Sequence, residues 1–120
     1  MQNGRKVAVL GAGSFGTALS SVLLRAGHEV MLWCYEPGHA DEVNEQGRNT
    51  RYMTDFELPG LTATSRLDRA VDGAEMVLFV SPSHVTRLLA REVAPLLRHD
   101  CLVVCATKGI EAGGETMDEV

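Results

Sequence analysis

Gly11, Gly13 and Gly16 stand in a G-x-G-x-x-G array near the start of the chain. This spacing suits main-chain recognition of a phosphate. Gly11 permits a tight turn, Gly13 lets a pyrophosphate approach the backbone, and Gly16 lets a helix pack closely on a strand. The amides of Ser14 and Phe15 then fall at a helix N-terminus, where unpaired N–H groups and the helix dipole attract an anion. Glu36 stands twenty positions past Gly16 (36 − 16). There a carboxylate can accept hydrogen bonds from adenosine ribose hydroxyls and repel a 2′-phosphate, which favours NAD. Its other reading is a solvated acid that begins a turn with Pro37 and Gly38. Tyr35 beside it can lie against an adenine ring or be a half-exposed aromatic at a strand end. Lys108, followed by glycine at the end of an apolar run, carries three donors suited to a phosphate or a nicotinamide-side oxygen. Its other reading is a solvated loop lysine. His84 fits a structural or exposed position in the first turn of a helix, and His28, His39 and His99 have no partner that suggests a site.

Residues 7–10 form a short apolar run that reads as a buried parallel strand entering the glycine turn. Behind it Phe15, Ala18, Leu19, Val22, Leu23 and Ala26 make an apolar stripe at helical spacing, which predicts a helix laid on a sheet by that face, with Gly27 as its stop. Residues 29–33 are a second strand, 39–46 a short polar helix, 47–60 an excursion loop and 61–64 a third strand. Ser65 is expected to cap a small helix over 66–71. Residues 76–80 are a fourth strand, and Ser83 is a candidate cap for a helix striped by Val85, Leu88, Leu89, Val93, Leu96 and Leu97. Pro95 should kink that helix or start a new short one. Residues 102–106 are a fifth strand, and Thr116 and Glu119 have capping-box spacing. Strand alternating with helix predicts an α/β fold, a Rossmann-type doubly wound parallel sheet of about five strands in the order 3-2-1-4-5. The residues that could do chemistry then gather at the carboxyl ends of the strands: 11–16, 34–36, Ser81-Pro82-Ser83 and Thr107-Lys108-Gly109.

The chain has 120 residues and a net charge of −5, with 45% hydrophobic and 22% charged residues. One modest domain with a real core fits these values. The acidic balance argues against a nucleic-acid or anionic-membrane partner, so an anionic cofactor must be held by local amides. No apolar run has membrane-spanning length, and the short N-terminal stretch before the first strand predicts no signal peptide. Three cysteines, an odd number, predict packed, reduced thiols and neither a disulfide framework nor a metal site. Cys101 and Cys105, four apart, should face one side of a strand.

Taken together, Gly11-Ala-Gly-Ser-Phe-Gly-Thr-Ala-Leu, Gly27-His-Glu-Val-Met-Leu-Trp33, Val80-Ser-Pro-Ser-His-Val85 and Ala106-Thr-Lys-Gly-Ile-Glu111 resemble the N-terminal region of bacterial NAD(P)-dependent glycerol-3-phosphate dehydrogenases. The first motif is generic to dinucleotide enzymes; the last two, in this order and spacing, are more specific. The resemblance runs through essentially the whole chain but reaches only about the first third of a family member.

It implies reversible reduction of dihydroxyacetone phosphate to sn-glycerol 3-phosphate for phospholipid synthesis, with NAD or NADP as cofactor, in a cytoplasmic homodimer. By motif, the cofactor-binding residues are Gly11, Gly13, Ser14, Phe15, Gly16, Tyr35, Glu36, Pro82 and Lys108, with Lys108 also touching substrate. Tyr35 stands where the family often has a basic residue or histidine, so NADH gains over NADPH. Tighter NADPH binding would point instead to Arg48 or Arg51. The loop Asn49-Thr-Arg-Tyr52, followed by Met53-Thr54, departs from the family's leucine-proline. The resemblance also puts the proton donor in a C-terminal helical domain outside these residues. Residues 1–120 are therefore expected to be an incomplete dinucleotide-binding domain that binds without turnover. Two other readings stay open at this point: the cofactor domain of another two-domain dehydrogenase acting on a hydroxyacid or sugar derivative, and a module that senses dinucleotide without catalysis.

Overall fold

Short apolar runs become strands here because both faces of the central strands are covered, as an all-parallel sheet needs. A computed structural model describes residues 4–48, 58, 60–81 and 83–106. Strands β1 (Lys6–Leu10), β2 (Glu29–Trp33), β3 (Thr62–Thr64), β4 (Met76–Phe79) and β5 (Leu102–Cys105) form one parallel sheet in the order 3-2-1-4-5, as expected. Val7, Val9 and Leu32 face one layer, formed by helices α1 (Ser14–Arg25) and α2 (Pro37–Gln46). Ala8, Leu10, Val77 and Phe79 face the other, formed by α3 (Leu67–Ala70) and α4 (Ser83–Val93).

Helix α1 does not use its apolar stripe as the sequence predicts. Gly16, Thr17, Ser20 and Ser21 are the buried face, whereas of the stripe Phe15 and Val22 are 45% and 59% exposed and Leu19 and Leu23, with Leu24 beside them, reach the core half-buried. The cause is distance. A Cβ on Gly16 would meet the Gly11 carbonyl oxygen and the Val80 side chain, so only small residues fit between this helix and the strand ends. The buried hydroxyls bond within the helix: Thr17 donates to the Gly13 carbonyl at 2.7 Å and Ser20 to the Gly16 carbonyl at 2.8 Å. Gly27 does stop the helix. It sits at φ +93, its N–H donates to the Leu24 carbonyl, and the His28 N–H donates to the Leu23 carbonyl, both at 3.0 Å, which is a Schellman closure.

Other boundaries shift for local reasons. Helix α2 starts at Pro37, ahead of residue 39, because proline suits a first helical position where its missing N–H leaves nothing unpaired. The cap of α3 is Arg66, whose N–H donates to the Thr64 hydroxyl at 3.1 Å; Ser65 makes no cap bond. Ser83 is the first residue of α4 and not its cap. In α4, Thr86, Leu89 and Val93 are buried and Leu88 is exposed. Pro95 ends it in a 3-10 turn over Ala94–Leu96, as expected. The excursion is closed at its base, where the buried Leu58 donates its N–H to the Gly47 carbonyl at 2.8 Å. Of the cysteines, Cys34 is buried and Cys101 half-buried. Cys105 is exposed, contrary to the packed-thiol expectation, because β5 is covered little on that face.

The outer strand β3 shows one further device. Its Ala63 turns its N–H and C=O away from β2, and the side-chain amide of Asn44 in α2 bonds both. The Ala63 N–H donates to Asn44 Oδ1 at 2.8 Å, and Asn44 Nδ2 donates to the Ala63 carbonyl at 2.9 Å.

Candidate functional site

The glycine turn lies at the point where strand order reverses, between the ends of β2 and β4. Gly11 donates its N–H to the Trp33 carbonyl at 3.3 Å, and Val80 donates its own to the Leu10 carbonyl at 3.1 Å. Gly11 has φ +136, and a Cβ there would come within 2.7 Å of the Val80 carbonyl oxygen. Its glycine is therefore required twice, by conformation and by contact. Gly13 differs: a Cβ on it would meet nothing within 4 Å. Gly13 caps α1 without a side-chain hydrogen bond, and its carbonyl accepts both the N–H and the hydroxyl of Thr17. The turn therefore presents the start of α1, with Ser14 and Phe15 exposed, to open space. That combination, uncapped first-turn amides beside a bare glycine, is what a pyrophosphate requires.

At the end of β2, Tyr35 is 82% exposed and stands edge-on to Trp33, ring centroids 6.1 Å apart at 79°. Trp33 is held in turn by its indole N–H, which donates to the Ser65 carbonyl at 3.0 Å. Tyr35 is thus an exposed ring on a fixed footing. Glu36 is exposed and serves as the N-cap of α2 through its backbone, the carbonyl accepting from the His39 and Ala40 N–H groups. Arg48 lies beyond Gly47 at the opposite end of α2, a helix of ten residues and hence roughly 15 Å from Glu36. It therefore lies at the end of α2 away from Tyr35 and Glu36. At the end of β4, Ser81 and Thr86 are buried together. The Thr86 hydroxyl donates to the Ser81 carbonyl at 3.0 Å, so the 2.9 Å contact between the two hydroxyls is donated by Ser81. This pair ties the first turn of α4 to the strand end.

The structure thus brings Gly11, Gly13, Ser14, Phe15, Gly16, Tyr35 and Glu36 to one edge of the sheet. Pro82, Lys108, Arg51 and the 49–54 departure lie outside the described residues, as do Thr116 and Glu119. Reading the sequence missed Thr17 and Thr86. Their signal was a hydroxyl four or five residues after a turn, too common to single out.

The family described as NAD-dependent glycerol-3-phosphate dehydrogenase N-terminus matches residues 6–120. The chain belongs to this family. Glycerol-3-phosphate dehydrogenase [NAD(P)+] of Lactococcus lactis subsp. lactis is 47% identical over 112 residues, covering 92% of this chain and 33% of that protein. The Streptococcus thermophilus enzyme of the same name is 48% identical over 110 residues, covering 91% and 32%. Among solved structures, the glycerol-3-phosphate dehydrogenase of Coxiella burnetii superimposes with a TM-score of 0.83 at 36% identity, covering 97% of this chain and 36% of that one. A PanE/ApbA family ketopantoate reductase from Ralstonia eutropha also superimposes, with a TM-score of 0.69 at 33% identity over 87% of this chain and 34% of its own. The chain therefore spans about a third of the length of the glycerol-3-phosphate dehydrogenases it matches. The fold is shared with enzymes of other substrates, so it does not choose the substrate by itself.

Proposed function

We propose that this chain is the cofactor-holding part of an NAD(P)-dependent glycerol-3-phosphate dehydrogenase, which interconverts dihydroxyacetone phosphate and sn-glycerol 3-phosphate. One observation carries the reading: of the three motif glycines, Gly11 and Gly16 are closed in by main chain while Gly13 faces open space at an uncapped helix start. A turn kept only for folding has no need of the third. A nicotinamide cofactor bound here supplies the hydride. The chain's own residues orient it: the Ser14 and Phe15 amides take the pyrophosphate, Tyr35 offers a face to the adenine, and Glu36 accepts from the ribose hydroxyls. Pro82 and Lys108 complete the set by motif, Lys108 toward both nicotinamide and substrate phosphate. The proton donor belongs to a further helical domain, so these 120 residues bind cofactor without turning substrate over. The parent enzyme is read as a cytoplasmic homodimer serving phospholipid synthesis. Sequence identity favours this reading over a dehydrogenase of hydroxyacids or sugar derivatives, since the relatives at 47–48% all bear one name and the ketopantoate reductase stands at 33%.

Trp33 is the single tryptophan and sits beside Tyr35, so energy transfer to bound NADH reports on this site. Saturable transfer is expected. Gly13→Val should abolish it while leaving circular dichroism near that of the parent chain, because the new side chain enters free space and costs only the difference between two cap residues. Undiminished binding by that variant would sink the assignment.

A further inference from the structure

The loops that leave β2 and β3 run off neighbouring strand ends in register. Trp33 pairs with Thr64, the Cys34 N–H donates to the Thr64 carbonyl at 2.9 Å, and the Trp33 indole reaches the Ser65 carbonyl. Tyr35 and Arg66 are each two residues past that pair, on strands about 4.8 Å apart. Arg66 is the one Lys or Arg among the described residues of the loops at the carboxyl ends of the strands. Its guanidinium is occupied. Nε donates to Asp68 Oδ1 at 3.2 Å and Nη2 donates to Asp68 Oδ2 at 2.7 Å, a two-pronged pair with both side chains more than half exposed.

Resting on the dinucleotide reading above, we propose that Arg66 is the group that admits a 2′-phosphate on the adenosine ribose, and that Asp68 holds it back, so the Arg66–Asp68 fork sets the balance between phosphorylated and unphosphorylated cofactor. The β2 loop itself offers Tyr35, which brings no cation, and Glu36, an acidic side chain that does not suit a phosphate. Among the described residues, the cation nearest in register to that loop then comes from the next strand end. Arg66 suits the task because a guanidinium matches phosphate oxygens in the same two-pronged geometry it uses with Asp68. Exchange is feasible because an exposed ion pair between residues two apart is weak in water, whereas a doubly charged phosphate offers more negative charge and more acceptors. The fork thus weakens a 2′-phosphate contact without abolishing it, and the chain accepts both cofactors with NADH favoured.

The test is a pair of titrations, NADH and NADPH, read by Trp33 energy transfer on the chain and on Asp68→Asn and Arg66→Gln, each checked by circular dichroism. Freeing the guanidinium in Asp68→Asn should tighten NADPH about three- to tenfold, on the scale of one weak surface pair. NADH should stay within about twofold, since it carries no group for Arg66. Arg66→Gln should move NADPH alone in the opposite direction. An NADPH-to-NADH ratio that is the same in all three proteins, with NADH still binding, overturns the fork and leaves the dinucleotide site standing. Parallel changes for both cofactors overturn it too, since they report a structural effect. Failure of the parent chain to bind either cofactor removes both readings together.

Discussion

Single residues in the glycine turn divide by what surrounds them. Gly16 is pressed against the Gly11 carbonyl and Val80, so Gly16→Ala should destabilise by about 1–3 kcal/mol, the usual cost of overpacking a tight contact. Urea unfolding measures it, and a neutral result would mean the helix can move off the sheet. Gly13→Val is the contrast, expected to cost stability only as a poorer helix cap and to lose cofactor binding. The motif was legible in the sequence because glycine spacing is read directly. The different reasons for its three glycines were not, since they depend on Val80 arriving from seventy residues away (80 − 10) beside Leu10. Arg66 was passed over for a related reason. On paper it is a charged residue in a turn; its place beside Tyr35 exists only once β2 and β3 pair.

Elements show where patterning succeeds and where it misleads. The strands were readable because burial on both faces leaves unbroken apolar runs such as 7–10 and 76–79. Helix α1 misled because its tight side is Gly16, Thr17, Ser20 and Ser21, and a search for apolar spacing selects the face beside it. Hydroxyls can line such a face when they bond their own helix's carbonyls. The Asn44 clamp on Ala63 was out of reach of any periodicity, being a fit between a helix side chain and a strand edge. An exposed strand edge invites pairing with another chain. Asn44→Ala should therefore cost about 1–2 kcal/mol for two hydrogen bonds and raise concentration-dependent association, measured by light scattering. Asn44→Asp would keep the acceptor for Ala63 N–H and lose the donor, so an intermediate effect is expected.

At the scale of the whole molecule, three described groups have a shifted affinity for protons: Asp68, Asp100 and Cys101. Hydrogen bonds from Arg66 and Arg98 hold the Asp68 and Asp100 carboxyls below their ordinary value of 3.8. Below about pH 4 the unfolded chain takes up these protons first, so stability falls as pH drops through the folded values. Burial raises the Cys101 thiol above 9.0, with Asp100 adding to it. Above about pH 9 the unfolded chain loses that proton first, and stability falls again as pH rises. Urea midpoints between pH 3 and 10 should show a shallow shoulder at each end. In Asp68→Asn/Asp100→Asn the acid shoulder should shrink; a shoulder of unchanged depth would assign it to other carboxylates. The single hydrogen bond from Leu58 to Gly47 has a consequence for how such a protein can change. It fastens both ends of an insertion at one point, with Leu58 anchored in the core and Gly47 ending α2 in the left-handed conformation. Doubling the length between two such anchors costs only about 0.6 kcal/mol in chain entropy. With both anchors kept, a change in the length between them should still let β3 enter the sheet at the same residue.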